Sequence, residues 1–273
     1  MGSSCATRYP LVLVHGVGSR DWKHLRYWGR IPARLEAEGA RIFYGNQDSY
    51  ATVEKNAAAL RETVSGVLQS TGAPKVNIIA HSKGGLDARF MISRLGMGDK
   101  VASLTTVCTP HHGSKTVDKL LAFPSILVHT VAFFCNIWSR LIGDRQPDAQ
   151  QVFQQFTTAF AVRFNAETPD VPEVYGQSYA FLMKRARSDF MLWLPYLVVK
   201  AIEGESDGLV TPGSAQWAVF RGVYRGAGNR GISHCDAVDF RRRPLTRSIQ
   251  NEGIRDITDF YLEIVRELMK RGC

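Results

Sequence analysis

Val76-Asn77-Ile78-Ile79-Ala80-His81-Ser82-Lys83-Gly84-Gly85 is the stretch that decides the fold. Its short, mostly apolar start reads as a buried parallel strand, its glycines open a helix, and the serine sits on the turn between them. The pentapeptide Ala80-His81-Ser82-Lys83-Gly84 approximates the G-x-S-x-G nucleophile elbow, with Ala80 in the first glycine position. Such a turn holds its serine under strain, so the flanking residues must be tiny for strand and helix to pass closely. Alanine meets that demand with one methyl to spare. The helix N-terminus behind Ser82 favours negative charge developing there. The plain alternative is a tight turn with an incidental serine.

Outward from this turn, strand-like and helix-like segments alternate. Residues 11–14 form an apolar run closed by His15-Gly16, and residues 41–44, 104–108, 174–181 and 219–224 read as further strands. Helical spacing is expected over residues 28–38, 53–70, 84–95 and 255–269. Strands separated by helices imply βαβ units. We therefore expect one α/β domain over residues 1–273, with a mostly parallel central sheet flanked by helices: the α/β-hydrolase fold. Residues 115–200 break the rhythm and read as a helical lid insertion. Within them, residues 120–142 are rich in Leu, Phe, Val and Ile, yet Pro124, His129, Asn136 and Arg140 interrupt the run. That is too polar and broken for a transmembrane span and reads as an amphipathic helix.

The composition suits a single soluble domain: 273 residues, 45% hydrophobic and 22% charged. A net charge of +9 favours anionic partners in general, but no basic motif with interleaved aromatics marks nucleic-acid binding. Arg241-Arg242-Arg243 reads as a solvated basic loop or an anionic contact. Five widely spaced cysteines without a C-x-x-C pair indicate neither structural zinc nor a disulfide framework. No secretory leader is visible, so the expected location is cytoplasmic, or extracellular if the chain is a mature form. The sequence is silent on oligomeric state.

A serine hydroxyl is a poor nucleophile near neutral pH and needs a histidine base held by an acid. In this fold the order is Ser, then Asp or Glu, then His. Asp207, just before Gly208, suits a post-strand turn, with Glu203, Glu205, Asp170 and Asp189 as rivals. Only His234 follows Asp207, so chain order selects it as the base. Asp236 sits too close in sequence to His234 to orient it easily. Acyl transfer also needs two N–H donors for the oxyanion. Lys83, after the nucleophile, supplies one, and Val17 on the His15-Gly16-Val17-Gly18 loop is the candidate for the other. His15 is read as bracing that loop and His81 as a loop or pocket residue.

Segments along nearly the whole chain resemble the bacterial true lipases, the Pseudomonas and Burkholderia type of triacylglycerol lipase. They include residues 9–16, 27–32, 74–82, Thr109-Pro110-His111-His112-Gly113-Ser114, residues 163–166, Ser206-Asp207-Gly208-Leu209-Val210 and His234-Cys235-Asp236-Ala237-Val238. The resemblance implies the triad Ser82, Asp207 and His234, the oxyanion donors Val17 and Lys83, and a mobile lid over an acyl-binding cleft. It also implies a calcium ion near the catalytic histidine, for which Asp236 and Asp189 are the candidate ligands. Phe240 stands where those lipases place a glutamine, and an apolar side chain cannot ligate a hard cation. Calcium thus stays open while the chemistry itself requires no cofactor. The expected activity is hydrolysis of medium- or long-chain acylglycerols through an acyl-Ser82 intermediate, at a lipid–water interface. An intracellular carboxylesterase or thioesterase, a polyester depolymerase and a catalytically silent lipid-binding module are the alternatives.

Overall fold

The computed structural model describes residues 4–21, 27–246 and 253–273. Strands β1 (Leu11–Val14), β2 (Ile42–Tyr44), β3 (Val76–His81), β4 (Val101–Val107), β5 (Tyr175–Phe181) and β6 (Val219–Tyr224) form one sheet in the order β2-β1-β3-β4-β5-β6. Every neighbouring pair is parallel. The helices are α1 (Ile31–Glu36), α2 (Val53–Thr71), α3 (Lys83–Arg94), α4 (Lys115–Leu121), α5 (Ser125–Leu141), α6 (Ala149–Gln154), α7 (Thr158–Glu167), α8 (Trp193–Ile202), α9 (Pro212–Ala215) and α10 (Ile257–Lys270).

A parallel sheet must be covered on both faces, and the strands' alternation divides two cores accordingly. Leu11 and Leu13 share one core with Trp28, Ile31 and Leu35 and with Phe260, Tyr261 and Leu268 of α10. Val12 and Val14 face the other way, into a core with Leu60 and Val64 of α2 and Ala88 and Met91 of α3. Each fully buried Leu, Ile or Phe contributes about 1.5–3 kcal/mol. Substrate sites of such sheets lie beyond the carboxyl ends of the strands. Here the ends of β1, β3 and β4 deliver His15–Val17, Ser82 and Cys108–Pro110.

Several boundaries differ from the sequence reading for local reasons. The helix expected over residues 28–38 begins at Ile31, with Pro32 in its first turn, where a missing N–H costs nothing. The strand expected over residues 104–108 runs from Val101 to Val107; Cys108 turns to a φ of 52°, although its amide still donates to the Tyr179 carbonyl of β5 at 2.9 Å. Residues 115–200 are not one insertion in space. β5 lies between β4 and β6, so the helical material comes in two pieces, α4–α7 before it and α8 after it. Residues 120–142 are broken at Pro124 into α4 and α5, bent by 112°. Among the described residues no single helix is long and apolar enough to cross a membrane, although this bent pair meets the length and composition together.

Candidate active site

Ser82 connects β3 to α3 with φ 54° and ψ −133°, a conformation costing a non-glycine residue about 1–3 kcal/mol. Neighbours hold it there. Its N–H donates to Val107 O at 3.0 Å, and its carbonyl accepts the Thr109 hydroxyl at 2.7 Å. The close approach demanded of the glycines is visible: a Cβ on Gly84 would collide with the His15 and Val14 carbonyls, and one on Gly16 would lie 2.6 Å from Ser82 Cβ. Ala80 occupies its place fully buried, paired with Val14 and Thr106.

Asp207 and His234, 27 residues apart, are bonded twice. The ring Nδ1 of His234 lies 2.7 Å from Asp207 Oδ2, and the His234 amide donates to the Asp207 carbonyl at 2.8 Å. Asp207 Oδ1 accepts the amides of Leu209 and Val210 at 3.0 and 2.8 Å, which fixes the carboxylate plane. A carboxylate only accepts here, so Nδ1 carries the proton and Nε2 keeps a free lone pair. His234 and Ser82 line the same cavity. Three of the four rival acids are engaged elsewhere, Glu203 with Ser114 and Thr116, Asp170 with Trp217, and Asp189 with Ser233, and the fourth, Glu205, is exposed.

Val17 lines this cavity beside Ser82 and His234, and Lys83 is the first residue of α3, where amides have no intrahelical partner. The Lys83 side chain turns away into the interior and pairs with Asp87 at 2.6 Å, and Asn56 binds the other Asp87 oxygen. Burial pushes the Asp87 carboxyl up to about 6. His15 braces the oxyanion loop as expected, its ring nitrogens 2.8 and 2.9 Å from the Gly16 and Gln47 carbonyls.

Two further residues escaped the sequence reading. The Tyr27 hydroxyl accepts the Gly16 amide at 3.0 Å and donates to His81 Nδ1 at 2.7 Å, tying the loop before Val17 to the residue before Ser82. The His81 ring in turn packs 4.4 Å from the His234 ring, centroid to centroid, and burial keeps it neutral. Cys108 is the other. Its Sγ, an Asp207 carboxylate oxygen and a His234 ring nitrogen lie within 4.8 Å of one another. Burial, then the Asp207 charge, hold the thiol protonated, pushing it well above the usual range. Aromatic or cysteine content alone signals neither contact.

The cavity has a volume of about 510 Å³. Beyond Ser82, His234 and Ser114 its walls are apolar, drawn from α4 and α5 (Val117, Leu121, Leu127, Val131) and from Phe153 and Phe156. Size and lining suit an acyl chain.

Asp236 and Asp189 do come together as the lipase resemblance implies, joined through Ser233, whose hydroxyl donates to Asp189 at 2.5 Å and accepts the Asp236 amide at 3.0 Å. The set does not fit calcium, however. Asp236 receives a guanidinium fork instead, with Arg241 Nε and Nη2 each at 2.7 Å. Arg241 is therefore not part of a solvated run, since it turns inward.

Three comparisons bear on this site. The family described as palmitoyl protein thioesterase matches residues 10–185, well over half of the chain. The chain belongs to the palmitoyl protein thioesterase family. Relatives of this thioesterase-family protein include lipases. Triacylglycerol lipase 2 of Saccharomyces cerevisiae is 28% identical over 91% of the chain and 74% of its own length. The triacylglycerol lipase of Burkholderia plantarii is 34% identical over 60% of the chain and 49% of its own length, so the aligned part spans about half of that enzyme. These likenesses bear out the resemblance to the Burkholderia-type lipases. The Staphylococcus hyicus lipase superposes with a TM-score of 0.68 at 17% identity, covering 96% of both chains, which bears out the α/β-hydrolase fold. The thioesterase-family chain is thus a hydrolase of the lipase and esterase group.

Proposed function

We propose that the protein cleaves carboxylic esters of medium- and long-chain fatty acids, acylglycerols foremost, through an acyl-Ser82 intermediate. The observation that carries this reading is the apolar 510 Å³ cavity that meets polar groups only where Ser82, His234 and Ser114 line it. His234 Nε2 takes the Ser82 proton as Oγ attacks the ester carbonyl, while Asp207 stabilises the imidazolium. The amides of Val17 and Lys83 receive the oxyanion, each worth about 3 kcal/mol in the transition state. The imidazolium then protonates the departing alcohol, and the freed ring activates water to release the acid. No step calls for a cofactor.

The helices α4 and α5 form the proposed cover. Their cavity side binds the acyl chain, while Ile126 and Phe133, across the helix from Leu127 and Val131, stand more than half exposed, joined by Phe190 at 91%. Apolar surface of this kind on a helix suits a lipid–water interface. The family match favours a second leaving group, a thiol, since the cavity specifies the acyl half and not the leaving group. Rates on triolein emulsion and on a palmitoyl thioester separate the two. Faster thioester turnover makes the protein a thioesterase, and no fluorophosphonate adduct on Ser82 rejects both.

A further inference from the structure

We propose that Arg241 does the work that calcium does in the resembling lipases, holding the His234 loop as a built-in counter-ion, so that this protein functions without the metal. The inference rests on the hydrolase reading above, and it starts from the oxygen atoms a cation would need. Asp236 Oδ1 accepts Arg241 Nε, and Oδ2 accepts Arg241 Nη2 and, at 3.3 Å, the Ser233 amide. Asp189 Oδ1 accepts the amides of Met191 and Leu192, and Oδ2 accepts the Ser233 hydroxyl. All four carboxylate oxygens are engaged.

Charge leads to the same conclusion. Asp236 is paired with Arg241, and Arg230, whose guanidinium reaches the Ser188 carbonyl beside Asp189, stands close enough to feel both carboxylates. A divalent cation added to this neutral set would face two fixed guanidinium groups. Asp236 is 2% exposed, a place where a carboxylate needs a full partner. A planar guanidinium supplies that partner with direction, two parallel bonds at 2.7 Å, which a point charge does not.

The fork sits where it can govern the base. Asp236 opens a short turn over Asp236–Val238 just after His234, and the Ala237 amide ties it back to the Ser233 carbonyl at 3.0 Å. The far side of the turn is pinned the same way. Asp239 takes the amide and the guanidinium of Arg30, and Tyr261 donates to the Ala237 carbonyl. Arg241 is thus a positioning residue that acts on His234 through Asp236.

The test uses the full chain, the R241A and R241K variants, and the thermal midpoint alongside ester turnover. Wild type is expected to keep its turnover and midpoint in chelator and to gain neither with added calcium. R241A is expected to lose about tenfold to hundredfold in kcat with little change in KM, as supporting residues around a reactive centre do. Guanidinium ion is expected to restore part of that kcat. R241K, which keeps charge but not the fork, should fall between the two, and it carries the test if R241A does not fold. Chelator that inactivates wild type, with recovery on calcium, would overturn the proposal, as would R241A with wild-type kcat. If wild type neither turns over ester nor takes a fluorophosphonate on Ser82, the hydrolase reading fails. The midpoints with chelator and calcium still judge Arg241.

Discussion

His15 illustrates how residues around Ser82 are set by competing terms. Both of its ring nitrogens face backbone carbonyls, and only the doubly protonated ring could donate to both. Burial opposes that charge, aided by Arg20 and Lys83, and brings the imidazole down to about 4. Neutral His15 therefore braces the oxyanion loop across the working pH range. The Tyr27 hydroxyl completes the brace, and Tyr27→Phe leaves the Gly16 amide and His81 Nδ1 without it. Each orphaned buried group costs roughly 1–3 kcal/mol. We expect a lower melting temperature and a kcat reduced about tenfold with KM nearly unchanged, measurable by melting and steady-state kinetics. Ser82→Ala should remove roughly 10⁶ in kcat while the protein melts normally, which titration with a chromogenic ester would check. Ser82 and His234 were legible as candidates because their signals are local, a turn with small residues and an order along the chain, whereas Asp207 stood among rival acids until the lipase resemblance singled it out. Tyr27, Cys108 and Arg241 were not legible. Their roles are contacts between distant segments, and nothing in an aromatic, a thiol or one arginine of three names its partner.

At the scale of elements, β5 and α5 carry the instructive cases. β5 reads as a strand in isolation, yet its place in the central sheet follows from pairing with β4 and β6, which pattern alone does not supply. The apolar run over residues 120–142 was legible as amphipathic, and Pro124 explains the break. Its two faces have separable roles. Val131 lines the cavity, so Val131→Asp should cut kcat/KM for a long-chain p-nitrophenyl ester about tenfold or more while sparing the butyrate. Ile126 and Phe133 lie on the opposite side of the helix and are 71% and 60% exposed. Replacing both with serine should depress turnover of emulsified triolein but leave a dissolved short-chain ester at its former rate. Equal losses on both substrates would place these side chains in packing rather than at an interface.

For the molecule as a whole, the pH dependence of stability follows from groups buried against their preferred charge. His15, His81 and His111 are all shifted down by burial, from 6.5 in the unfolded chain. The unfolded chain binds protons there that the folded one refuses, so their stabilisation is present above pH 6.5 and is lost as pH falls. Asp87 and Asp21 work the other way. Burial raises them from 3.8 to about 6 and about 7, and their contribution fades as pH rises through those values. Asp144 and Asp236 are raised by burial as well, so these acids oppose the histidines on acidification. Asp87→Asn removes one opposing proton and should steepen the fall in unfolding free energy from pH 6 to 5 by roughly 1 kcal/mol. Urea titrations of both proteins at pH 6 and 5 would check the sign, and an unchanged or shallower fall would contradict it.

Trp138, on α5, donates its Nε1–H to the Gly18 carbonyl at 2.9 Å, and Arg20 reaches the Gly143 carbonyl just past the same helix at 2.5 Å. The loop that carries Val17 is thus anchored to the proposed cover. By thermodynamic reciprocity, whatever steadies that loop must also steady α5, with a coupling on the order of 1–3 kcal/mol. An oxyanion mimic on Ser82 should then slow proteolysis within residues 115–145, and Trp138→Phe should weaken that protection without touching Ser82. The helix that admits the lipid would, on this account, sense the charge state of the carbonyl it has admitted.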